Sequence, residues 1–178
     1  VQEGTVGAER IIKMLNVVDD EVVVEEKGIY SIESFISARR IMYWQVYLHK
    51  TVVSAENTLI KILKRAKQLI QNGEDIFSSS SLKIFLKNNY TIDHFKENDV
   101  ILETFSKLDD HDIYSCIKEW SHHNDFILSS LSDRILNRKP LKIQTQNKKF
   151  SEVKINELKQ KVSEKYNISI EDTNYLVF

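Results

Sequence analysis

The sequence predicts a mainly α-helical fold: a long-helix bundle with a small β-hairpin near the N-terminus and a β-α-β appendage near the C-terminus. One Pro and four Gly are few for 178 residues, and this scarcity of helix-breaking residues favours long helices. The single proline, Pro140, precedes a segment with strand, helix and strand patterns. Between positions 59 and 70, apolar residues recur at helical spacing and predict one buried face: Leu59, Ile62, Leu63, Ala66 and Ile70.

The composition limits the classes of function. Hydrophobic residues make up 42% and charged residues 29%, which is typical of a globular protein. The net charge of −1 disfavours a protein that coats nucleic acid. Cys116 is the only cysteine, so no internal disulfide can form and a cytoplasmic location is expected. No apolar run approaches the ~20 residues that cross a bilayer, so no membrane partner is expected. The chain starts without Met, and we expect it to be a piece of a longer protein.

The N-terminal segment is predicted to contain a short helix and a hairpin. Residues 5–16 carry apolar residues at helical spacing, and Thr5 is a candidate N-cap. Residues 22–30 are β-branched, and a turn at Lys27–Gly28 predicts a small hairpin.

A long helix is predicted to follow the hairpin. Ser31 can cap its start, and Gly73 can end it. The resulting length of about 40 residues is unusual in globular proteins, so a break near residues 51–54 is expected.

The C-terminal half is predicted to contain short helices and then two strands. Ser78–Ser81 can cap the first helix, and Asp109 opens a later one, where an acid suits the helix dipole. Strands are expected at Leu141–Thr145 and Thr173–Phe178. The predicted helices are 82–87, 99–107, 109–121, 123–138 and 153–166.

Two domains are predicted: residues 1–138 as a helical part, and residues 139–178 as a small, incomplete α+β appendage.

Residues 134–165 hold ten Lys or Arg against three Glu. This basic segment is either a solvated surface or a contact for an anion or RNA.

The most informative feature is a stripe of polar residues on the predicted long helix. At 100° per residue, Arg39, Tyr43, Tyr47 and Lys50 share one face, on or beside apolar positions where core residues would be expected. A guanidinium buried there needs an anionic partner. That partner is either a phosphate of a ligand or a carboxylate of the protein, such as Glu33 or Glu56.

Other residues invite functional interpretations that we reject. His111-Asp112 lacks convergent ligands for a metal, and adjacent His122-His123 rarely hold one metal. Cys116 is expected to be a core thiol. Trp44 and Trp120 are expected to anchor a core or an interface rather than stack on bases.

Three blocks of the chain resemble the bacterial HD-superfamily phosphohydrolases, relatives of the mammalian SAM-and-HD-domain deoxynucleoside triphosphate triphosphohydrolase. The blocks are Val1–Met14, Val23–Ser31 and Ala38–Lys50, and Leu108–Trp120 looks like a further one. The resemblance implies a reaction that cleaves a deoxynucleoside triphosphate into nucleoside and triphosphate, with a divalent metal of the Mg, Mn, Fe or Zn class. It also implies that this chain is the C-terminal portion, starting after the metal site. The fragment itself is then expected to bind no metal and to be inactive alone.

The resemblance also implies roles for individual residues. Arg39 matches an arginine that contacts the triphosphate, and Tyr47 matches a tyrosine that packs on the sugar. Tyr43 stands where relatives often carry a histidine near the substrate. His49 and Lys50 match a pair near a regulatory nucleotide at a subunit interface.

A second function, a non-catalytic helical assembly or regulatory module, is kept beside the first. The long helix would form a dimer seam, with His49 and Lys50 at or near it. The expected partners are therefore a dNTP-like nucleotide in the parent protein and a second copy of the chain.

Overall fold

The computed structural model describes residues 7–178, and it is mainly α as predicted. Its chain divides into two compact units, the first ending at Val53 and the second being Ser54–Phe178. The boundary predicted at residue 138 concerns an appendage to a family domain and stays a prediction. The α-helices are α1 Ala8–Lys13, α2 Ile29–Met42, α3 Lys50–Gln71, α4 Ser80–Lys87, α5 Ile92–Glu97, α6 Asp99–Ser106, α7 Asp110–Trp120, α8 Phe126–Leu136 and α9 Glu152–Tyr166.

The hairpin forms earlier in the chain than predicted. Strands β1, Leu15–Val18, and β2, Glu21–Val24, are antiparallel, and they meet at a turn where Asp19 and Asp20 have φ of 51° and 65°. Asp tolerates this left-handed region because its short polar side chain can bond locally. The turn predicted at Lys27–Gly28 is therefore wrong, and those residues lie in a 3₁₀ turn before α2.

The predicted long helix is two helices. It begins at Ile29 rather than at a Ser31 cap, and the break lies at Leu48 and His49, slightly before the predicted one. Gly73 ends α3 as predicted, with φ of 94° and its N–H donating to the carbonyl of Ile70. Glycine reaches this conformation without a Cβ clash.

The predicted C-terminal helices are present, with bounds that differ from the predicted ones by at most three residues, and α5 is an addition. Ser79, inside the predicted cap segment, accepts from the Leu82 N–H at the start of α4. Asp109 caps α7. At the other end of the chain, helix 5–16 is reduced to α1, and the Thr5 cap lies outside the described residues.

The hydrophobic core lies in the second unit. One face of α3 packs against α4, α7 and α8, and Trp120 is 1% exposed at its centre. Its indole N–H donates to the Phe77 carbonyl at 2.8 Å, so burial leaves no polar atom unsatisfied on that ring. No helix in the described part of the chain is long and apolar enough to cross a bilayer.

The two predicted C-terminal strands are wrong. Within residues 7–178 the hairpin supplies the only strands. The Leu141 carbonyl accepts from the Ser54 hydroxyl at 2.9 Å rather than from a neighbouring strand. Thr173 begins successive backbone turns instead, with its carbonyl accepting from the N–H groups of Leu176 and Val177. Tertiary contacts therefore override the local β-propensity.

Candidate functional site

The stripe predicted from the sequence lies where α2 changes its winding. A π-helical turn, Tyr43–Tyr47, follows α2 directly, and the Leu48 N–H donates to the Tyr43 carbonyl at 2.8 Å, five residues back. Such single wide turns in α-helices are frequent at functional sites. Both stripe tyrosines belong to this turn.

Three of the predicted residues form a continuous line on the surface of this turn. Nη2 of Arg39 donates to Oη of Tyr43 at 3.5 Å, and the guanidinium carbon lies 5.4 Å from the centre of that ring. The rings of Tyr43 and Tyr47 follow at 5.0 Å, tilted by 50°. The i, i+4 spacing thus places a cation, a phenol and a second phenol side by side.

Arg39 is exposed rather than buried, which corrects the expectation from its position on an apolar face. No carboxylate of residues 7–53 lies within 4.0 Å of its guanidinium, so the proposed ion pair with Glu33 is not formed. The alternative pair with Glu56, which belongs to the second unit, stays a prediction. Its bond to Tyr43 is long and uses one of five N–H donors. Within the first unit's described residues, 7–53, the other N–H donors have no hydrogen-bond partner and can bind an external anion.

His49 and Lys50 lie beyond the end of the π-helical turn. Nδ1 of His49 accepts from the Thr51 N–H at 3.3 Å, which places the ring at the start of α3. Lys50 is the first residue of α3 and is exposed. Neither makes a contact with the line of Arg39, Tyr43 and Tyr47 in the described structure. Their predicted role near a regulatory nucleotide or interface stays a prediction.

The first unit leaves a large apolar surface open. In α2 the only buried residue is Ala38, while Trp44 is 65% exposed and Ile36 is 58% exposed. Apolar patches of this extent on a protein surface commonly mark contacts with other polypeptide. Other exposed apolar side chains of α2 and the turn after it are Ile29, Tyr30, Phe35, Val46 and Leu48.

The rejected motifs have structural roles. Asp112 accepts from the Asp109 N–H in a capping box, and the His111 side chain is 94% exposed. Burial raises the pKa of the Cys116 thiol, as expected of a core cysteine. In residues 7–178 no three His, Cys, Asp or Glu side chains are grouped to hold a metal. The part of the chain that is described therefore does not fit the implied metal centre.

Sequence reasoning missed two polar clusters in the second unit. In the first, Arg65 binds Asp125 through two N–H groups at 2.6 and 3.1 Å and Asp172 at 2.9 Å. In the second, Lys61 and Lys159 converge on Asn174. The only local signal is that Lys61 and Arg65 lie beside the apolar face of α3, because the groups that they bind are 60 to 113 residues away in the sequence.

Comparison with known proteins connects this geometry to a superfamily. Residues 6–83 match the family model described as the HD associated region. A crystal structure of a phosphohydrolase from Bacteroides thetaiotaomicron superposes with a TM-score of 0.94 at 46% identity, over 98% of this chain. The chain is related to the HD superfamily. The HD associated region includes the whole line of Arg39, Tyr43 and Tyr47.

Two uncharacterized bacterial proteins are also similar to this chain. The chain is 36% identical over 138 residues to YwfO, an uncharacterized protein of Bacillus subtilis, covering 78% of this chain. It is 32% identical over 123 residues to MG461, an uncharacterized protein of Mycoplasma genitalium, covering 66% of this chain. The chain spans 30% and 28% of these relatives and 43% of the Bacteroides phosphohydrolase.

Proposed function

We propose that this chain is the substrate-gripping portion of a metal-dependent phosphohydrolase that cleaves a deoxynucleoside triphosphate into nucleoside and triphosphate. Arg39 carries the proposal, because its guanidinium is exposed and has no carboxylate partner among residues 7–53. A guanidinium with free N–H groups binds phosphate oxygens in pairs, with charge-assisted hydrogen bonds. The HD relation supports phosphate chemistry as the reaction class.

The two phenols extend the site from phosphate to sugar. Tyr43 contacts the guanidinium and orients it, while Tyr47, one further helical turn along, is 54% exposed. A phenol offers a flat apolar face to a sugar and a hydroxyl to its oxygens. We assign phosphate orientation to Tyr43 and sugar packing to Tyr47.

The metal belongs, in this proposal, to the part of the longer protein that this chain does not contain. A divalent metal there would supply hydroxide and polarise the phosphate under attack. Arg39 would hold the triphosphate chain in place through the reaction and offset its charge. This chain alone is then expected to bind substrate weakly and to release no product.

Replacing Arg39 by Ala in the longer protein should weaken binding of a non-hydrolysable deoxynucleoside triphosphate by about 10- to 100-fold. The basis is the ~1.5–3 kcal/mol that hydrogen bonds to charged groups contribute. Equilibrium titration with fixed Mg²⁺ measures the change. Arg40→Ala is the matched control, since Arg40 is also exposed and makes no recorded contact with either tyrosine. Equal affinity losses in both variants would contradict the assignment.

A second candidate function is homo-oligomeric assembly through the apolar surface of α2 and its π-helical turn. The observation in its favour is that Trp44 and Ile36 are exposed, and that Ala38 is the only buried residue of α2. Sedimentation velocity on Trp44→Ser distinguishes the two functions. A smaller assembly with unchanged nucleotide affinity supports the assembly role, and unchanged size argues against it.

A further inference from the structure

We propose that the second unit carries a separate binding site for a polyphosphate group, formed by Lys61 and Lys64 of α3 and Lys159 of α9. Lys61 Nζ donates to the Asn174 carbonyl at 2.7 Å, and Lys159 Nζ donates to Oδ1 of the same residue at 2.6 Å. One asparagine therefore holds two ammonium groups close together. The site lies in the second unit, whereas Arg39, Tyr43 and Tyr47 belong to the first.

The charges of this cluster are not compensated by acids. None of the three lysines forms an ion pair with a carboxylate in the part of the chain that is described. The acid on the same 3₁₀ turn as Asn174, Asp172, is engaged by Arg65 and by the Ser169 hydroxyl. Neutral oxygens fix the ammonium groups in place but leave their positive charge unopposed.

Lys61 shows the electrostatic cost of this arrangement. Burial lowers the pKa of Lys61, and the neighbouring charges of Lys64 and Lys159 lower it further. A bound anion would offset both effects, since it replaces lost hydration and screens the repulsion between the lysines. The geometry and the charge balance thus favour the same class of ligand.

The surroundings favour a phosphate chain over a single small anion. A lysine ammonium group acts as a point charge and binds one phosphate at a time. A flexible chain of several phosphates can therefore contact several separate ammonium groups at once. The Phe178 ring lies 4.6 Å from Lys61 Nζ and is 58% exposed, beside the cations. An exposed aromatic face at this position can stack on the base of a nucleotide. Inorganic triphosphate and a deoxynucleoside triphosphate are therefore the two sources to compare.

The test is isothermal titration of the protein with inorganic triphosphate and, separately, with dATP. All variants are made in an Arg39→Ala background, which removes the phosphate contact proposed for the first unit. In that background we expect Lys61→Gln combined with Lys159→Gln to weaken triphosphate binding at least tenfold. Tighter binding of dATP than of triphosphate would identify a nucleotide as the ligand, and equal binding would identify the phosphate chain alone. Unfolding curves for each variant establish that the fold is retained.

The matched control is Lys87→Gln combined with Lys161→Gln, which removes the same charge from two exposed lysines that form no ion pair among residues 7–178. Diffuse attraction to basic surface would weaken binding equally in both double variants, and that result would overturn the proposal. Absence of triphosphate binding to the unmodified protein would overturn it as well. Loss of binding in Arg39→Ala would assign the anion to the first unit instead. The proposed hydrolytic function is tested independently, through Arg39.

Discussion

Trp120→Ala is expected to lower the free energy of unfolding by about 3–5 kcal/mol, the range for removing a large aromatic side chain from a core. Trp120 is 1% exposed and contacts the cluster formed by α3, α4, α7 and α8. The substitution opens a cavity and also leaves the Phe77 carbonyl without its 2.8 Å donor. Urea unfolding followed by far-UV circular dichroism measures the loss without relying on tryptophan fluorescence.

Trp44→Ala is the matched control, since it removes the same side chain from a position that is 65% exposed. It should change the free energy of unfolding little, because surface substitutions away from special features are usually within about 0.5 kcal/mol. A large loss at Trp44 with a small one at Trp120 would contradict the location of the core.

Arg65→Met is expected to destabilise the protein by about 3 kcal/mol, the lower end of the range for breaking a buried ion pair, because it leaves the half-buried carboxylates of Asp125 and Asp172 without a counter-charge. The side chains of Arg65 and Asp125 are 13% and 14% exposed, and their closest atoms are 2.6 Å apart. Burial opposes ionisation of Asp125, but hydrogen bonds from Arg65 and the Leu128 N–H outweigh it and hold the pKa of Asp125 below its ordinary value. Thermal and urea unfolding at neutral pH measure the effect.

A double variant separates the stranded charge from the lost packing. Adding Asp125→Asn to Arg65→Met keeps a side-chain oxygen for the Leu128 N–H and removes one unpaired carboxylate, so the double variant should be more stable than Arg65→Met alone. The stabilisation from the lowered pKa of Asp125 is complete above its unfolded pKa of about 3.9. This stabilisation is lost as the pH falls through the pKa of Asp125 in the folded protein. The pH dependence of the free energy of unfolding at acid pH should therefore change in Arg65→Met, and an unchanged dependence would contradict the role given to Arg65.

Local rules predicted the helices better than the strands. Gly73 ends α3, and Asp109 caps α7, because each acts through bonds to residues within four positions. The strand predicted at Leu141–Thr145 fails because its backbone contact comes from Ser54, 87 residues earlier. The hairpin turn is predicted at the wrong place because Gly28 favours a turn in the sequence, whereas Asp19 and Asp20 adopt the left-handed conformation at the actual turn.

The candidate site follows the same division. Helical spacing sufficed to align Arg39, Tyr43 and Tyr47, whose contacts are four residues apart. The exposure of Arg39 could not be predicted, because helical spacing shows which residues share a face of the helix but not whether another element packs against that face. The lysine pair on Asn174 depends on a contact between residues 113 positions apart, and no periodicity in the sequence reports it.

We propose that Arg39 binds the phosphates of a deoxynucleoside triphosphate in a longer HD phosphohydrolase. The most direct measurement is triphosphate release from each of the four deoxynucleoside triphosphates by that longer protein, loaded with Mg²⁺ or Mn²⁺. Triphosphate release from at least one of them, falling at least tenfold in Arg39→Ala and not in Arg40→Ala, is the predicted result. Release that is the same in all three proteins, or no release from a folded and metal-loaded enzyme, would contradict the claim.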